Sequence, residues 1–221
     1  MRRAFLQFAR LAGGLLILLL PVVSGHSADH SVAIVGVTVI HPERDGEAAV
    51  APDSTVLIVG ERIRTVGPAP TTRLPAGAQV IDGRGKWLVP GLTDAHVHFD
   101  QSGNLYARPD IADLTSWMPY AKEQARNRAR LAATFRVWLA SGVTGVVDIG
   151  GPMWTFEVRE AARRSDAAPH VAVAGPLVSM IARPQLDTGD PPIVKVDSPE
   201  SARALVERTL RAKRRNVPRL F

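Results

Sequence analysis

Residues 89–98 read Val-Pro-Gly-Leu-Thr-Asp-Ala-His-Val-His, and this stretch decides how the rest of the chain is interpreted. It predicts a short strand that ends in two histidines, His96 and His98. Side chains on a strand alternate between its two faces, so residues at i and i+2 point the same way. Both imidazoles can therefore reach one metal ion, and neutral imidazole suits zinc, nickel, iron or manganese. A His-x-His pair alone is a weak signal, because such pairs also occur as ordinary residues at strand edges.

The residues after this stretch alternate between helical and strand patterns. The predicted elements, in chain order, are a helix within 118–140, a strand over 144–149, a helix over 156–164, a strand over 170–174 and a helix over 198–213. The first helix rests on apolar residues at steps of three and four. Ser198 is the predicted N-cap of the last helix, and Lys195 falls in a Pro-rich loop before it. Strand and helix in this order are typical of a parallel βα repeat, and we count about three units.

The residues before the stretch predict a different architecture. Residues 31 to about 90 contain short, mostly β-branched runs separated by turns, with a tight hairpin turn at Gly60-Glu61 and another turn at 83–85. Short strands at this spacing predict a small β-sandwich.

The run at 89–98 resembles the first barrel strand of the amidohydrolase superfamily, within it the imidazolonepropionase-like metal-dependent hydrolases. Residues 141–148 and 169–175 resemble the second and third strands of that family's barrel. The resemblance covers about residues 31–213. It implies an α/β fold, an incomplete (β/α)8 TIM-type barrel of about three βα units preceded by a small β-sandwich domain. A complete barrel typically needs about 250 residues, so we expect an amino-terminal fragment of such an enzyme.

The resemblance also implies a metal site. In this family the two histidines of the first strand bind a divalent metal, usually zinc, present as one or two ions. The metal activates water for hydrolysis of a C–N bond in an amide, a cyclic amide or a dipeptide. His96 and His98 are therefore the expected metal ligands. The family's other ligands and its catalytic aspartate lie on later strands, so no catalytic residue is assigned, and two imidazoles are fewer than the usual three protein ligands.

Three acidic residues are further candidates for the site. Asp94 lies two residues before His96 on the same strand face and is a candidate to orient a ligand histidine, with a structural role as the alternative. Asp148 ends the second strand, at the rim where barrel enzymes place their site residues. Asp100 follows the metal strand and is a candidate for substrate contact.

Composition limits the remaining possibilities. The formal net charge is +6 and there is no cysteine, so histidines and carboxylates are the available metal ligands. Much of the basic excess lies near the carboxyl end, where we interpret it as a solvated helix face and a tail. No nucleic-acid-binding motif accompanies these charges, and we predict no nucleic-acid partner.

The amino terminus predicts export. Arg2 and Arg3 precede an apolar run over 11–23, and small residues follow at 24–28. This is the pattern of a secretory signal peptide, and the run is shorter than the ~20 residues of a membrane-spanning helix. We expect a periplasmic or secreted protein that meets the membrane through this segment alone; the alternative is an uncleaved membrane anchor.

The sequence predicts four segments. The predicted segments are a signal peptide (1–28), a small β-sandwich domain (29–90), the first part of the barrel (91–213) and an irregular basic tail (214–221). The predicted function is metal-dependent hydrolysis of a C–N bond in a small-molecule or dipeptide-like substrate. The alternatives are a catalytically inactive truncated remnant and an exported non-enzymatic binding module.

Overall fold

The structure is a computed structural model that describes residues 30–215, with side chains to residue 212. The predicted signal peptide lies outside these residues. The class is mixed α/β, with ten strands and four α-helices among the described residues. The chain divides between Val89 and Pro90 into two compact units. Within 30–215, no helix combines the length and apolar character needed to cross a bilayer.

The first unit contains one five-stranded sheet. Its strands are β1 (Ser31–Ile40), β2 (Val50–Val59), β3 (Arg62–Pro68), β4 (Gln79–Asp82) and β5 (Trp87–Leu88). β1, β2 and β3 pair antiparallel in succession, whereas β4 and β5 both run parallel to β1. The hairpin turn predicted at Gly60-Glu61 joins β2 to β3, and Gly60 has a φ of +59°, a conformation that glycine adopts without steric cost. The second sheet of the predicted sandwich stays a prediction.

The second unit is organised around a three-stranded parallel sheet. Its strands are β6 (Leu92–Val97), β7 (Val143–Asp148) and β8 (His170–Val173), in the order β6-β7-β8. The connecting helices are α1 (Tyr120–Ala129) and α2 (Leu131–Ala140) between β6 and β7, and α3 (Thr155–Arg163) between β7 and β8. A core of apolar side chains, which includes Val97, Phe135 and Val158, packs around these elements. Successive strands are therefore neighbours joined by helices, as the βα pattern predicts.

The predicted helix within 118–140 differs from the structure in two ways. It is divided at Arg130, which has φ −97° and ψ 1°, so α1 and α2 are separate helices. The apolar residues on which the helix was predicted include Ala121, Ala125 and Ala129, and all three are exposed in α1. The buried residues of α1 are Tyr120, Glu123 and Gln124. The physical reason is that this face contacts the polar loop after β6, where hydrogen-bonding side chains are favoured over apolar ones.

The last segment contains a small sheet that the sequence pattern missed. β9 (Leu177–Ser179) and β10 (Ile193–Lys195) pair in parallel, so Lys195 ends a strand and does not lie in a loop. The two strands are only three residues long, too short to show a period. Between them, the carboxylate of Asp190 accepts hydrogen bonds from the backbone N–H groups of Met153 and Trp154, both at 3.0 Å.

The final helix, α4 (Pro199–Arg215), begins where the sequence predicts. The Ser198 hydroxyl accepts the backbone N–H of Ser201 at 3.1 Å, and the Ser201 hydroxyl accepts the N–H of Ser198 at 3.1 Å. This reciprocal pair satisfies N–H groups that the first turn of a helix leaves without partners. The helix includes residues 214 and 215, which were predicted to begin the tail; residues 216–221 lie outside the described part.

Candidate metal and substrate site

The two predicted metal ligands lie together at the carboxyl end of β6. His96 is the second-last residue of the strand and His98 follows the strand's last residue, Val97. The centroids of the two rings are 5.4 Å apart, with an angle of 80° between the ring planes. His96 is exposed and His98 is half-buried. The strand alternation thus brings the imidazoles side by side, as the spacing predicts.

A hydrogen bond to the loop after β7 orients the ring of His98. Its Nδ1 lies 2.5 Å from the carbonyl oxygen of Gly150. A carbonyl oxygen can only accept, so Nδ1 carries the proton and donates. In the neutral ring Nε2 then keeps its lone pair, which is the arrangement found for metal-binding histidines whose other nitrogen is held by a carbonyl.

Asp148 connects the ends of two neighbouring strands. It is the last residue of β7 and is completely buried. One carboxylate oxygen accepts the N–H of Phe99 at 3.2 Å, and the other accepts the N–H of Gly150 at 3.0 Å. Burial raises the pKa of Asp148, and the two backbone donors oppose that shift. Asp148 therefore holds Phe99, which follows His98, and Gly150, whose carbonyl oxygen accepts from His98.

Asp100 is buried against Asp148 and the first helix. Its side chain is 1% exposed, and its Oδ1 has no hydrogen-bond partner among the described residues. Burial raises the pKa of Asp100 to about 6, with a further contribution from the charge of Asp148 and an opposing one from His98. An acceptor without a donor in a buried position is destabilising unless a ligand or water satisfies it. Asp100, predicted as a substrate contact, thus lies near His98, with an oxygen that has no partner among the described residues.

Asp94 contacts the backbone of the first histidine. It is exposed, and its Oδ1 accepts the backbone N–H of His96 at 3.1 Å. Among the described hydrogen bonds it makes none with an imidazole ring. Both the role of orienting a ligand histidine and the alternative structural role of Asp94 stay predictions; the hydrogen bond described is to the backbone of His96.

The polar face of α1 holds the loop after β6, and sequence reasoning did not identify it. The side-chain amides of Gln124 and Asn127 both donate to the backbone carbonyl of Asp100, at 2.8 and 2.9 Å. The hydroxyl of Ser102 donates to Glu123 in a short contact, and Glu123 is completely buried. The only sequence signal was polar residues at i, i+1 and i+4 on one helix face, a spacing that also suits a solvated face.

The histidines form an incomplete ligand set within this structure. Among residues 30–215, no group of three or more His, Cys, Asp or Glu side chains is arranged to hold a metal. Zinc in a catalytic site usually has three protein ligands. His96 and His98, with Nε2 of His98 available, therefore fit two positions of such a site.

Comparisons with known proteins give partial matches. No family model matches the chain. It is 38% identical over 61 residues to an imidazolonepropionase from an Arthrobacter species, a match that covers 28% of this chain and 15% of the relative. It is 37% identical over 51 residues to adenine deaminase 3 of Rhizobium meliloti, covering 23% of this chain and 9% of the relative.

A solved structure matches over a much larger part. The fold is similar to that of a prolidase in complex with N-methylphosphonate-L-proline, with a TM-score of 0.60 and 25% identity, covering 82% of this chain and 44% of the prolidase. The chain thus spans less than half the length of that structural relative and less than a sixth of either curated relative. The paired histidines at the end of a parallel strand, the sequence relatives and the structural match together support the resemblance of this chain to the amidohydrolase superfamily.

Proposed function

We propose that this chain provides the first two metal ligands, His96 and His98, of a metal-dependent hydrolase acting on C–N bonds. The observation that carries the proposal is the 5.4 Å separation of the two imidazoles at the carboxyl end of a parallel strand. In (β/α)8 barrels that end of the strands is where active sites are built. The proposal includes the barrel itself: β6, β7 and β8 with their helices correspond to its first three units.

The residues present define what they contribute. His98 would bind through Nε2, because its Nδ1 donates to Gly150. His96 is exposed on the same side and would supply the second imidazole. Zinc is the proposed metal, since imidazole ligands suit it. A divalent metal would supply Lewis-acid activation of water and of the scissile carbonyl; in the family the further ligands lie on strands after the third.

The proposed substrate is a small molecule with a hydrolysable C–N bond, such as a dipeptide. The prolidase to which the fold is similar binds a phosphonate analogue of proline, and this supports a dipeptide-like substrate class. The competing proposal is a chain that binds metal weakly and does not turn over substrate. It is favoured by the absence, among the described residues, of a third ligand near the histidines.

A metal titration of the purified full chain tests the proposal. We expect about one zinc or cobalt ion per chain, and loss of binding by at least tenfold in each of His96→Ala and His98→Ala. His170→Ala is the matched control, because His170 is exposed at the start of β8 and lies apart from the site. Equal metal binding by the wild type and the two site variants would contradict the proposal. Weak or substoichiometric metal binding, together with no hydrolysis of dipeptides, would favour the competing one.

We further propose that the chain is exported, on the basis of residues 1–28. Fusion of that segment to a reporter enzyme that is active only outside the cytoplasm tests this. A fusion that stays inactive, while a known signal sequence activates the reporter, would reject export.

A further inference from the structure

The buried carboxylate of Asp148 bonds to both of the segments that the ring of His98 joins. Its two oxygens accept the N–H of Phe99 at 3.2 Å and the N–H of Gly150 at 3.0 Å. Phe99 follows His98 in the sequence, and Gly150 supplies the carbonyl oxygen that lies 2.5 Å from Nδ1 of His98. Because the two oxygens belong to one planar group, they fix the positions of the two segments relative to each other.

This side chain continues the pairing of β6 with β7 beyond the ends of the strands. Among the described residues, the last backbone hydrogen bond between the two segments joins the N–H of Ile149 to the carbonyl oxygen of Val97, at 3.2 Å. Beyond Val97, the described hydrogen bonds between them are made by the side chains of Asp148 and His98. Asp148 therefore holds the two segments together where the backbone pairing stops and the ligand histidine begins.

The carbonyl that accepts from His98 lies in a loop with two successive glycines, Gly150 and Gly151. Glycine has the widest range of backbone angles, so hydrogen bonds fix the direction of this carbonyl. The N–H of Gly150 is held by Asp148, and the N–H of Gly151 donates to the carbonyl oxygen of Gly175 at 3.2 Å. Loss of the bond to Asp148 would therefore allow Gly150 to turn its carbonyl away from His98.

We propose that Asp148 is a positioning residue that sets the tautomer of His98 through Gly150. With Gly150 held, Nδ1 of His98 carries the proton and Nε2 keeps its lone pair for a metal. Without it, no other described hydrogen bond favours a proton on Nδ1, so the ring populates both tautomers. Only the metal in this proposal depends on the proposed function; the tautomer is a property of the metal-free chain.

A measurement on the metal-free wild-type chain tests the hydrogen bonds of Asp148 directly. Scalar couplings across hydrogen bonds, recorded by NMR on chain labelled with ¹⁵N and ¹³C, should connect the carboxyl carbon of Asp148 to the amide nitrogens of Phe99 and Gly150. The coupling between Gly151 and Gly175 in the same loop is the internal reference. A visible reference coupling with none from Asp148 to Gly150 would overturn the proposal, and this result needs no variant that could disturb folding.

Asp148→Asn then tests the effect on His98. Asparagine has nearly the same shape, but its amide offers one acceptor oxygen and places N–H donors where the second oxygen was. One of the two backbone N–H groups therefore loses its acceptor. At a pH where the histidines are neutral, the ¹⁵N shifts of His98 should move from a ring protonated on Nδ1 toward a mixture of tautomers. Zinc should bind about tenfold more weakly, as is typical when the group that orients a metal-binding histidine is lost.

Two control variants separate positioning from general stability. Val158→Ala shortens a completely buried core side chain of α3, so it destabilises the same unit without changing these hydrogen bonds. Asp166→Asn makes the same chemical change at an exposed position. Both should keep the tautomer and the zinc affinity of the wild type. An unchanged His98 spectrum in a folded Asp148→Asn, or an equal change in Val158→Ala, would overturn the proposal.

The results for the tautomer and for zinc are separable. No zinc binding by the wild type, together with a shifted tautomer in Asp148→Asn, would reject the proposed function and leave the role of Asp148 standing. Zinc binding by the wild type, with the same tautomer and affinity in Asp148→Asn, would reject the role of Asp148 and leave the proposed function standing.

Discussion

The ring of His98 and the carbonyl oxygen of Gly150, 52 positions apart in the sequence, are joined by a hydrogen bond of 2.5 Å. This contact links the end of β6 to the loop after β7. It also determines the tautomer, because the carbonyl can only accept. The structure therefore orients this proposed ligand before any metal binds, which lowers the conformational entropy lost on binding.

The first prediction concerns that tautomer. In the metal-free chain at a pH where the histidines are neutral, ¹⁵N NMR should find the proton of His98 on Nδ1. The exposed His170, which has no such acceptor among the described hydrogen bonds, provides the reference signal in the same sample. A spectrum in which His98 carries its proton mainly on Nε2 would contradict the orientation described here.

The second prediction concerns the polar face of α1. Gln124→Ala should lower the free energy of unfolding by about 1 kcal/mol, because a hydrogen bond to the carbonyl of Asp100 is lost. The carbonyl keeps its bond from Asn127, so the double variant with Asn127→Ala should cost more than the sum of the single changes. Urea unfolding of the four proteins measures this.

Lys122→Ala is the control for the helix itself. Lys122 is exposed on α1, and a surface change of this kind is expected to stay within about 0.5 kcal/mol. If Lys122→Ala costs as much as Gln124→Ala, helix propensity and not the contact with Asp100 explains the loss.

The third prediction concerns Asp190, which accepts the N–H groups of Met153 and Trp154 just before α3. Asp190→Ala should destabilise the chain by about 1–2 kcal/mol, since it removes acceptors for donors that precede a helix. Hydrogen exchange should accelerate at the amides of Met153 and Trp154. Asp187→Ala, in the same segment but bonded only to the nearby Gly189 N–H among the described hydrogen bonds, should leave those two amides protected.

The fourth prediction explains the glycine of the Pro-Gly pair in the opening stretch. A Cβ atom at position 91 would lie 2.7 Å from Cβ of Thr144 and closer still to that residue's Oγ1 and Cγ2. Gly91→Ala should therefore destabilise the second unit by about 1–3 kcal/mol through overpacking of β6 against β7. Thermal or urea unfolding provides the measurement.

Measuring Gly91→Ala with and without Thr144→Ala in the same chain tests whether the contact with Thr144 causes the loss of stability. Thr144→Ala removes the two closest atoms, so the cost of Gly91→Ala should fall by at least about 0.5 kcal/mol in its presence. Purely additive costs would mean that the backbone conformation at 91, and not Thr144, requires glycine.

Local patterns were sufficient for several features. The period of two along a strand predicted that His96 and His98 are neighbours, and their rings are 5.4 Å apart. The change from strand to helix periodicity predicted β7, α3 and β8. The N-cap at Ser198 could be predicted because its hydrogen bond joins residues only three positions apart, Ser198 and Ser201. Each of these depends on interactions within one element, which is why the sequence alone carries the information.

Tertiary structure decided the rest. The partner of His98, the amides of Gln124 and Asn127 on Asp100, and the carboxylate of Asp190 ahead of α3 all join residues separated by 24 to 52 positions. No local period encodes such pairings, because they depend on which strand lies beside which and in what register. The same residues in a different register would face solvent. The sequence by itself therefore determined the resemblance to the family, the order of elements and the paired histidines, whereas packing decided how His98 is oriented and which carboxylates are buried near it.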